Sequence, residues 1–330
     1  MPRTILVSES SNFSPAAAQR LEQAGRVIWA DLNRPQLLSS LSETQLLWVR
    51  LRHQIDREVL DAAPYLRAIA TPTTGLTHID VAYAERRGIR ILSLRGETAF
   101  LEKIFATAEH TAALALALVR HLPQSVEHVR EGSWNRDLFR GRELHGKTAG
   151  IVGLGRIGRM VAKYFQAFGM TVLATDSAYN QSPVADVPLL PLDELLSRSD
   201  LVTIHVSLTD KTRGFFGKTQ FARMKRGAWF LNSSRGELID EVALLAGLQE
   251  GTIAGAALDV LSEERSSGMA NHPLVAYART HGNLLITPHI GGCTFESMEQ
   301  TEEFLAGKVV SFLQSLPEEV YAAGGLKEHR

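Results

Sequence analysis

Polar side chains follow the predicted strands in the second half of the chain. Arg235 follows the apolar strand AWFLN, and His289 follows LLITP. Asp259 ends the run IAGAALD, with Glu264 five residues later. The carboxyl ends of parallel strands are where open α/β sheets bind ligands. An imidazole exchanges protons near neutrality, a carboxylate beside it favours its protonated form, and a guanidinium grips a carboxylate or carbonyl oxygen. These residue types predict proton transfer beside a bound anion.

A glycine-rich loop predicts a dinucleotide site. Gly153, Gly155 and Gly158 form GxGxxG directly after the apolar strand AGIV, and an amphipathic helix that Gly169 closes follows. One glycine makes the tight turn, one lets the backbone approach a pyrophosphate, and one allows close packing of helix on strand. The helix N-terminus offers amides to the phosphates. The predicted cofactor ligands in this loop are the three glycines, Arg156 and Ile157.

An acid follows the next predicted strand. Asp176 lies near the spacing of roughly 20 residues after the first glycine that is expected of a ribose ligand. Its carboxylate would repel a 2′-phosphate, and no arginine adjoins it. The sequence therefore predicts NAD rather than NADP as the cofactor.

A rival phosphate-binding pattern lies immediately upstream. Gly141, Gly146, Lys147 and Thr148 satisfy GxxxxGK[ST], the loop of nucleotide hydrolases. That loop needs a strand before it and a helix after it, whereas charged RGRELH precedes it here and the apolar strand TAGIV follows. We interpret Lys147 as a strand-entry residue and keep nucleotide hydrolysis as the weaker alternative.

Two series of short apolar runs alternate with helical patterns, which is typical of βαβ units in parallel sheets. The runs of the first series are residues 4–7, 27–30, 46–49, 68–70 and 89–92, and those of the second are 148–152, 171–175, 201–206, 228–231, 254–260 and 284–287. Between them, a helix rich in Ala and Leu is predicted from Phe105 to Leu122, with Pro123 ending it. A helical stripe from Ser297 onward follows the second series.

Composition narrows the classes of function. The 330 residues are 45% apolar, and 35 Lys and Arg balance 36 Asp and Glu, so no global charge favours nucleic acid or an anionic membrane as a partner. The single cysteine, Cys293, excludes an intramolecular disulfide, and the N-terminus lacks the order of a signal peptide, which favours a cytoplasmic protein. The most apolar run is too short to span a bilayer. The scattered histidines predict no metal site.

Five ordered motifs resemble the D-isomer-specific 2-hydroxyacid dehydrogenase family, over nearly the whole chain. They are GKTAGIVGLGRIG (146–158), HVSLTDKTRGFF (205–216), FLNSSRGELID (230–240), AALDVLSEE (256–264) and ITPHIGG (286–292). The resemblance implies an α/β protein with two doubly wound parallel-sheet domains. A Rossmann NAD-binding domain, residues 104–294, would be inserted into a flavodoxin-like substrate domain, residues 1–103 and 295–330. A homodimer through the helix around 105–120 and an arm near Trp134 is also implied.

The resemblance assigns roles to the residues of these motifs. Arg235, Glu264 and His289 would be catalytic, in an NAD-dependent interconversion of a D-2-hydroxy acid and a 2-oxo acid by hydride transfer. The further cofactor-binding residues would be His205, Ser234 and Asp259. For Asp259, which would contact the nicotinamide amide, a loop-capping role is the alternative.

The substrate is less well defined. The segment PTTGLTHID resembles the family's substrate loop, so the backbone of Thr73, Thr74 and Gly75 is a candidate carboxylate cradle. Arg50 and Arg52 follow a strand, share a face by the two-residue period, and resemble the phosphate-binding arginines of 3-phosphoglycerate dehydrogenases. The alternative is an exposed basic strand end.

Other functions stay open from the sequence. One candidate is a small phosphorylated acid such as 3-phosphoglycerate as substrate, and another is a reductase of glyoxylate or hydroxypyruvate. A third, of a different class, is a scaffold that senses NAD(H) without catalysis. The segment GETAFLEKIFATAEH is several residues longer than the usual family loop, so its effect on the substrate site is undetermined.

Overall fold

Two compact units make up the chain. The computed structural model describes residues 3–264 and 268–316. The first unit holds the N-terminal part up to Lys103 together with the segment from Phe295 onward, and the second is Ile104–Thr294. Each unit contains one parallel sheet.

The first unit is built on a five-stranded sheet in the order β2-β1-β3-β4-β5. This is the flavodoxin-like order, with a topological switch point between β1 and β3, and it confirms the predicted fold of this unit. The short strands are almost wholly apolar because helices cover both faces of a parallel sheet. The strands are β1 Thr4–Val7, β2 Arg26–Trp29, β3 Leu46–Trp48, β4 Ala68–Ala70 and β5 Arg90–Leu92.

Helices pack on both faces of this sheet. The helices are α1 Pro15–Ala24, α2 Arg34–Ser40, α3 Arg57–Asp61, α4 Val81–Arg86, α5 Thr98–Leu101 and, from the C-terminal segment, α13 Phe295–Ser315. The last helix confirms the predicted stripe: Leu305, Val309 and Leu313 are buried in one core with α1 and with the strand residue Trp48. Alternate strand residues, such as Leu47, form a second core on the opposite face.

The additional residues after Gly96 pack against α13. Phe100 stacks on Phe304 with ring centroids 4.1 Å apart. Lys308 donates to a Glu97 carboxylate oxygen at 2.5 Å and to the Ser93 carbonyl at 2.8 Å. Glu97 and Phe100 of this longer segment therefore pack within the first unit.

The second unit contains a six-stranded parallel sheet in the order β11-β10-β9-β8-β6-β7. An isolated parallel bridge between Ala174 and Leu189 lies beyond β7. With that bridge counted as a shortened strand, the order is that of the dinucleotide-binding doubly wound sheet, in agreement with the predicted Rossmann fold. The strands are β6 Thr148–Val152, β7 Thr171–Thr175, β8 Leu201–Ile204, β9 Ala228–Asn232, β10 Ile253–Leu258 and β11 Leu284–Ile286.

The helices of this unit correct one prediction. They are α6 Ala106–Val119, α7 Leu122–Arg130, α8 Arg156–Ala167, α9 Leu192–Arg198, α10 Lys218–Arg223, α11 Glu241–Gln249 and α12 Pro273–Ala278. Pro123 does not end the first of them. The break falls at His121, whose φ of 53° is left-handed, and Pro123 lies in the first turn of α7. Proline is tolerated there because the first-turn amides lack intrahelical partners in any case. In the described part of the chain, no helix is long and apolar enough to cross a membrane.

Candidate active site

The carboxyl edge of the six-stranded sheet gathers the residues to which the sequence assigns chemistry. Backbone and side-chain hydrogen bonds link the neighbouring loops along this edge. His205 N donates to the Val152 carbonyl at 2.7 Å, and Ser234 Oγ donates to the Ile204 carbonyl at 2.8 Å. Further along the edge, the Asp259 amide donates to the Asn232 carbonyl at 2.9 Å, and the His289 amide donates to the Asp259 carbonyl at 2.9 Å. Arg235, Asp259 and His289 thus follow three adjacent strands at one edge.

The glycine loop directly follows β6, the strand at the topological switch point of this sheet, which lies between β8 and β7. Gly153 has a φ of +96°, and an added Cβ would lie 2.7 Å from the His205 carbonyl oxygen. At Gly158 an added Cβ would lie 2.0 Å from the Gly153 carbonyl oxygen, so helix and loop touch backbone to backbone. At Gly155, by contrast, no described heavy atom lies within 4 Å of an added Cβ. This open position precedes the first turn of α8, where amides face outward, and it fits a bound pyrophosphate.

The structure around Gly146 argues against the rival phosphate-binding loop. Gly146 has a φ of +72° in a turn, and Thr148 opens strand β6 rather than a helix. A loop that cradles phosphate needs the helix N-terminus that is absent at this position.

Asp176 directly follows β7 and holds the glycine loop. One carboxylate oxygen accepts the Leu154 amide at 2.7 Å, and the other accepts the Ala178 amide at 2.8 Å. The acid is therefore fixed beside the loop. Its role as the ribose ligand stays a prediction.

His205 has a ring nitrogen that no residue in the described part of the chain satisfies. Nε2 lies 3.0 Å from Thr203 Oγ1, while Nδ1 is buried without a hydrogen-bond partner in the described part of the chain. Burial lowers the pKa of His205 from 6.5 to about 3. An orphaned polar atom beside the glycine loop is consistent with the predicted contact to a cofactor.

We expect His205 to stay neutral in the free protein as the pH falls from 8 to 5. NMR should show its ring proton shifts constant over this range, with the signals assigned by their loss in His205→Gln. Since an unfolded histidine binds a proton below pH 6.5, folding stability should fall with pH below that value, by up to about 1.4 kcal/mol per pH unit from this residue. Titration of the His205 signal near pH 6.5 would contradict the burial.

His289 and Glu264 form the candidate proton-transfer pair. His289 Nδ1 lies 2.7 Å from Glu264 Oε1, and each side chain is 22% exposed. Glu264 thereby orients the ring and leaves Nε2 as the nitrogen able to exchange a proton with a ligand. The backbone of His289 is left-handed, with a φ of 55°, which costs energy and is typical of functional sites.

Asp259 fixes the loop that carries His289. Its carboxylate is 1% exposed and accepts the amides of Ile290 at 2.9 Å and Gly291 at 2.7 Å. Burial alone would raise the pKa of Asp259, but hydrogen bonds from His110, Thr287 and the two amides hold it below 3.8. An added Cβ on Gly291 would lie 2.8 Å from Asp259 Oδ2, so a larger residue there would displace this carboxylate. These contacts show the loop-capping role, and a contact with nicotinamide stays a prediction.

Arg235 is held by the turn after β9. The buried side chain of Asn232 donates to the Arg235 carbonyl at 2.8 Å and accepts the Ser234 amide at 3.0 Å. The following residue, Gly236, packs so closely that an added Cβ would lie 2.0 Å from the Ser262 amide nitrogen. The segments that carry Arg235 and Glu264 are therefore in backbone contact.

Helix α6 contributes positioning residues that the sequence analysis did not identify. His110 Nε2 lies 3.2 Å from Asp259 Oδ1 and 3.0 Å from Thr287 Oγ1. Thr111, the next residue of the helix and one turn after Thr107, has its Oγ1 2.7 Å from Ser233 Oγ. The sequence contains a signal for them, since Thr107, His110 and Thr111 have the i, i+3, i+4 spacing of one helix face at the start of a helix that is apolar from Ala112 onward.

The candidate substrate residues lie in the first unit, after β3 and β4. Because β3 ends at Trp48, Arg50 and Arg52 follow the strand rather than extend it, and the two-residue period does not set their directions. Arg50 pairs with Glu302, whereas Arg52 pairs with Asp31. Their role as substrate ligands stays a prediction.

The candidate carboxylate cradle directly follows β4. Thr73 Oγ1 donates to the Gly75 carbonyl at 2.8 Å, while Thr74 is exposed. The Thr73 hydroxyl is thus turned back onto its own loop. The backbone of Thr73, Thr74 and Gly75 as a carboxylate cradle stays a prediction.

The fold and this sheet edge define an α/β protein with a dinucleotide-binding unit, and comparison identifies the family. The family model described as D-isomer specific 2-hydroxyacid dehydrogenase, NAD binding domain, matches residues 112–291, more than half of the chain. The chain belongs to this family and contains its NAD-binding domain, as the resemblance predicted. Among residues 3–264 and 268–316, no group of three or more His, Cys, Asp or Glu has the arrangement of a metal site.

Curated relatives and solved structures agree with this assignment. The D-3-phosphoglycerate dehydrogenase of Archaeoglobus fulgidus is 37% identical over 87% of this chain and 53% of its own length. The human enzyme of the same name is 34% identical over 94% of this chain and 57% of its own. The chain thus spans about half the length of the curated relatives it matches.

Two solved structures resemble the chain over almost their whole length. D-lactate dehydrogenase from Aquifex aeolicus, complexed with NAD and lactic acid, has a TM-score of 0.81 at 28% identity, covering 94% of this chain and 96% of that one. NAD-dependent formate dehydrogenase from Staphylococcus aureus, in complex with NAD, has a TM-score of 0.81 at 26% identity, covering 96% of both chains.

Proposed function

We propose that this protein is an NAD-dependent D-2-hydroxyacid dehydrogenase that interconverts a D-2-hydroxy acid and a 2-oxo acid. The observation that carries this conclusion is the His289–Glu264 pair, at 2.7 Å, on the same sheet edge as Arg235 and the glycine loop. An imidazole oriented by a carboxylate beside a dinucleotide site is suited to exchange a proton with a substrate oxygen.

The chain's own residues would hold the substrate and move one proton. Bound NAD supplies a carrier that accepts or delivers a hydride. His289 Nε2 would donate a proton to the carbonyl oxygen of a 2-oxo acid, or remove it from the hydroxyl in the opposite direction. Glu264 stabilises the charged ring through Nδ1, and Arg235 would bind the carboxylate or carbonyl oxygen.

The glycine loop and the loops beside it would hold the cofactor. Gly155 leaves space for a pyrophosphate, and the first turn of α8, which contains Arg156, Ile157 and Gly158, presents its amides to it. The neighbouring cofactor ligands would be Asp176 for the ribose hydroxyls, with His205, Ser234 and Asp259 nearer the nicotinamide. A carboxylate at Asp176 favours NAD over NADP because it repels a 2′-phosphate.

We extend the proposal to a cytoplasmic homodimer. No residue of α7, all of which the structure describes, is buried. Trp134 is 89% exposed and Leu138 is 64% exposed, close along the chain to α7. Exposed apolar side chains concentrated in one segment are typical of a protein interface, and a second copy of this chain is the predicted occupant.

A substrate panel tests the proposed function. We expect NADH to be oxidised in the presence of at least one 2-oxo acid among pyruvate, glyoxylate, hydroxypyruvate and phosphohydroxypyruvate, with NADPH used at least tenfold less efficiently because of Asp176. Absorbance at the nicotinamide band reports both reactions. Tight NADH binding without turnover of any acid would favour the scaffold alternative instead.

A further inference from the structure

The two arginines that the sequence assigns to a substrate phosphate already have carboxylate partners. They lie at the carboxyl edge of the five-stranded sheet, where Glu9 follows β1 and Arg50 follows β3 across the topological switch point. Ligands of open α/β sheets bind at such points. The charges present there therefore decide which substrates this unit can accept.

Arg50 uses most of its hydrogen-bond donors within the first unit. Its side chain is 17% exposed, and Nε and Nη2 both donate to Glu302 Oε1, at 2.9 and 2.5 Å. Nη1 donates to the Ser11 carbonyl at 2.8 Å, and Nη2 also reaches the Asn12 carbonyl at 3.5 Å. A guanidinium has five N–H donors, so these contacts use four of them.

Separating Arg50 from Glu302 would cost considerable free energy. Its side chain is 1% exposed, and Oε2 accepts the Ser14 amide at 2.8 Å. Burial raises the pKa of Glu302 above its usual value, although the Ser14 amide and Arg50 oppose that shift. Drawing Arg50 away to a ligand would leave a buried carboxylate without its counter-charge, which is strongly unfavourable.

Two more carboxylates complete this edge. Glu9 is 5% exposed and accepts the amides of Arg50 at 2.9 Å and Arg52 at 3.2 Å. Arg52 lies 3.3 Å from Asp31, whose other oxygen accepts the hydroxyls of Ser10 and Ser11. Burial lowers the pKa of His53, which favours its neutral form. Around Arg50 and Arg52, the three carboxylates of Glu9, Asp31 and Glu302 therefore face two guanidinium groups.

We infer that the substrate is a monoanionic 2-oxo or 2-hydroxy acid whose carboxylate is its only charge, and that Glu302 excludes acids with a distal phosphate by holding Arg50. This inference rests on the proposed function and narrows its substrate class. A phosphate ester carries about −1.5 to −2 charges at pH 7. Near these arginines the phosphate would be repelled by the excess of carboxylates, and Arg50 is already paired with Glu302.

Hydroxypyruvate and phosphohydroxypyruvate form the decisive pair, because they differ only by the phosphate. At pH 8 we expect kcat/KM to be at least tenfold higher for hydroxypyruvate. In Glu302→Gln the ratio should shift about tenfold toward the phosphorylated acid, since the isosteric amide no longer neutralises Arg50. Glu303→Gln, which removes the neighbouring carboxylate on the same helix, should leave the ratio unchanged. Asp31→Asn, at an exposed position, should shift the ratio in the same direction but less, and it serves if Glu302→Gln does not fold.

Binding separates failure of this inference from failure of the proposed function. Calorimetry with NADH-loaded protein should show glycerate binding more tightly than 3-phosphoglycerate. Tighter binding of 3-phosphoglycerate, no binding of glycerate, or a higher kcat/KM for phosphohydroxypyruvate in the wild type would overturn the inference. Selective binding of glycerate without turnover of any 2-oxo acid would support it while refuting the proposed reaction.

Discussion

Replacing His289 by asparagine should lower kcat about a thousandfold while NADH still binds. General acid–base catalysis contributes about 10² to 10⁴ in rate, and His289 is the imidazole that Glu264 orients, with Nδ1 2.7 Å from Oε1. Asparagine is the appropriate replacement because it tolerates the left-handed backbone at this position, where φ is 55°, better than most residues. The loss should therefore reflect missing proton transfer rather than a disturbed loop.

Two measurements separate these causes. Stopped-flow absorbance gives the rate of NADH oxidation, and quenching of protein fluorescence gives the dissociation constant of NADH. His281→Asn is the matched control, because His281 belongs to the same unit but stacks on Tyr277 away from the sheet edge. Unchanged kcat in His289→Asn would remove the imidazole from the mechanism, and equal losses in both variants would point to a general effect of the substitution.

Strand positions follow closely from the sequence. The predicted bounds of β1, β4, β6 and β7 coincide with those of the structure, and the other strands differ by two residues or fewer at each end. Strands of a parallel sheet are buried on both faces, so each appears as an uninterrupted apolar run between turns. The glycine loop and Asp176 follow for the same reason, because strand, loop and helix are contiguous in the chain.

Contacts between side chains that are distant in sequence cannot be predicted from the sequence in this way. Arg50 appears as a free cation after a strand, yet its partner Glu302 lies 252 positions away on α13. The apolar stripe of that helix contains the clue, since Glu302 precedes the buried Leu305 and Ala306 by three and four residues. An acid on a buried helix face requires a counter-charge, but the pattern does not say which arginine supplies it.

The contacts of Asp259 show the same limit. The position of Asp259 at the end of β10 is predictable from the sequence, but the partners of its carboxylate are not. His110 approaches from α6, and Thr287 and Gly291 from the loop after β11, so the capping role emerges only when three elements meet. The family resemblance identified the residue, and packing shows what its carboxylate holds.

Alanine at Gly155 and alanine at Gly158 should separate the ligand role of the loop from its structural role. At Gly158 the new Cβ would lie 2.0 Å from the Gly153 carbonyl oxygen, so helix α8 must move. We expect Gly158→Ala to destabilise the protein by about 2 kcal/mol or more and to abolish NADH binding. At Gly155 the backbone, with φ of −67° and ψ of −165°, accepts alanine, and no described atom lies within 4 Å of the new Cβ.

Gly155→Ala should therefore fold with an unchanged melting temperature in the absence of cofactor. Its dissociation constant for NADH should still rise at least tenfold, because the methyl group would occupy space that a pyrophosphate needs. Thermal unfolding of the free protein and fluorescence titration with NADH measure the two effects independently of turnover. Full NADH affinity in Gly155→Ala would show that the open position beside α8 does not receive the phosphates, and the cofactor would have to bind elsewhere on the sheet edge.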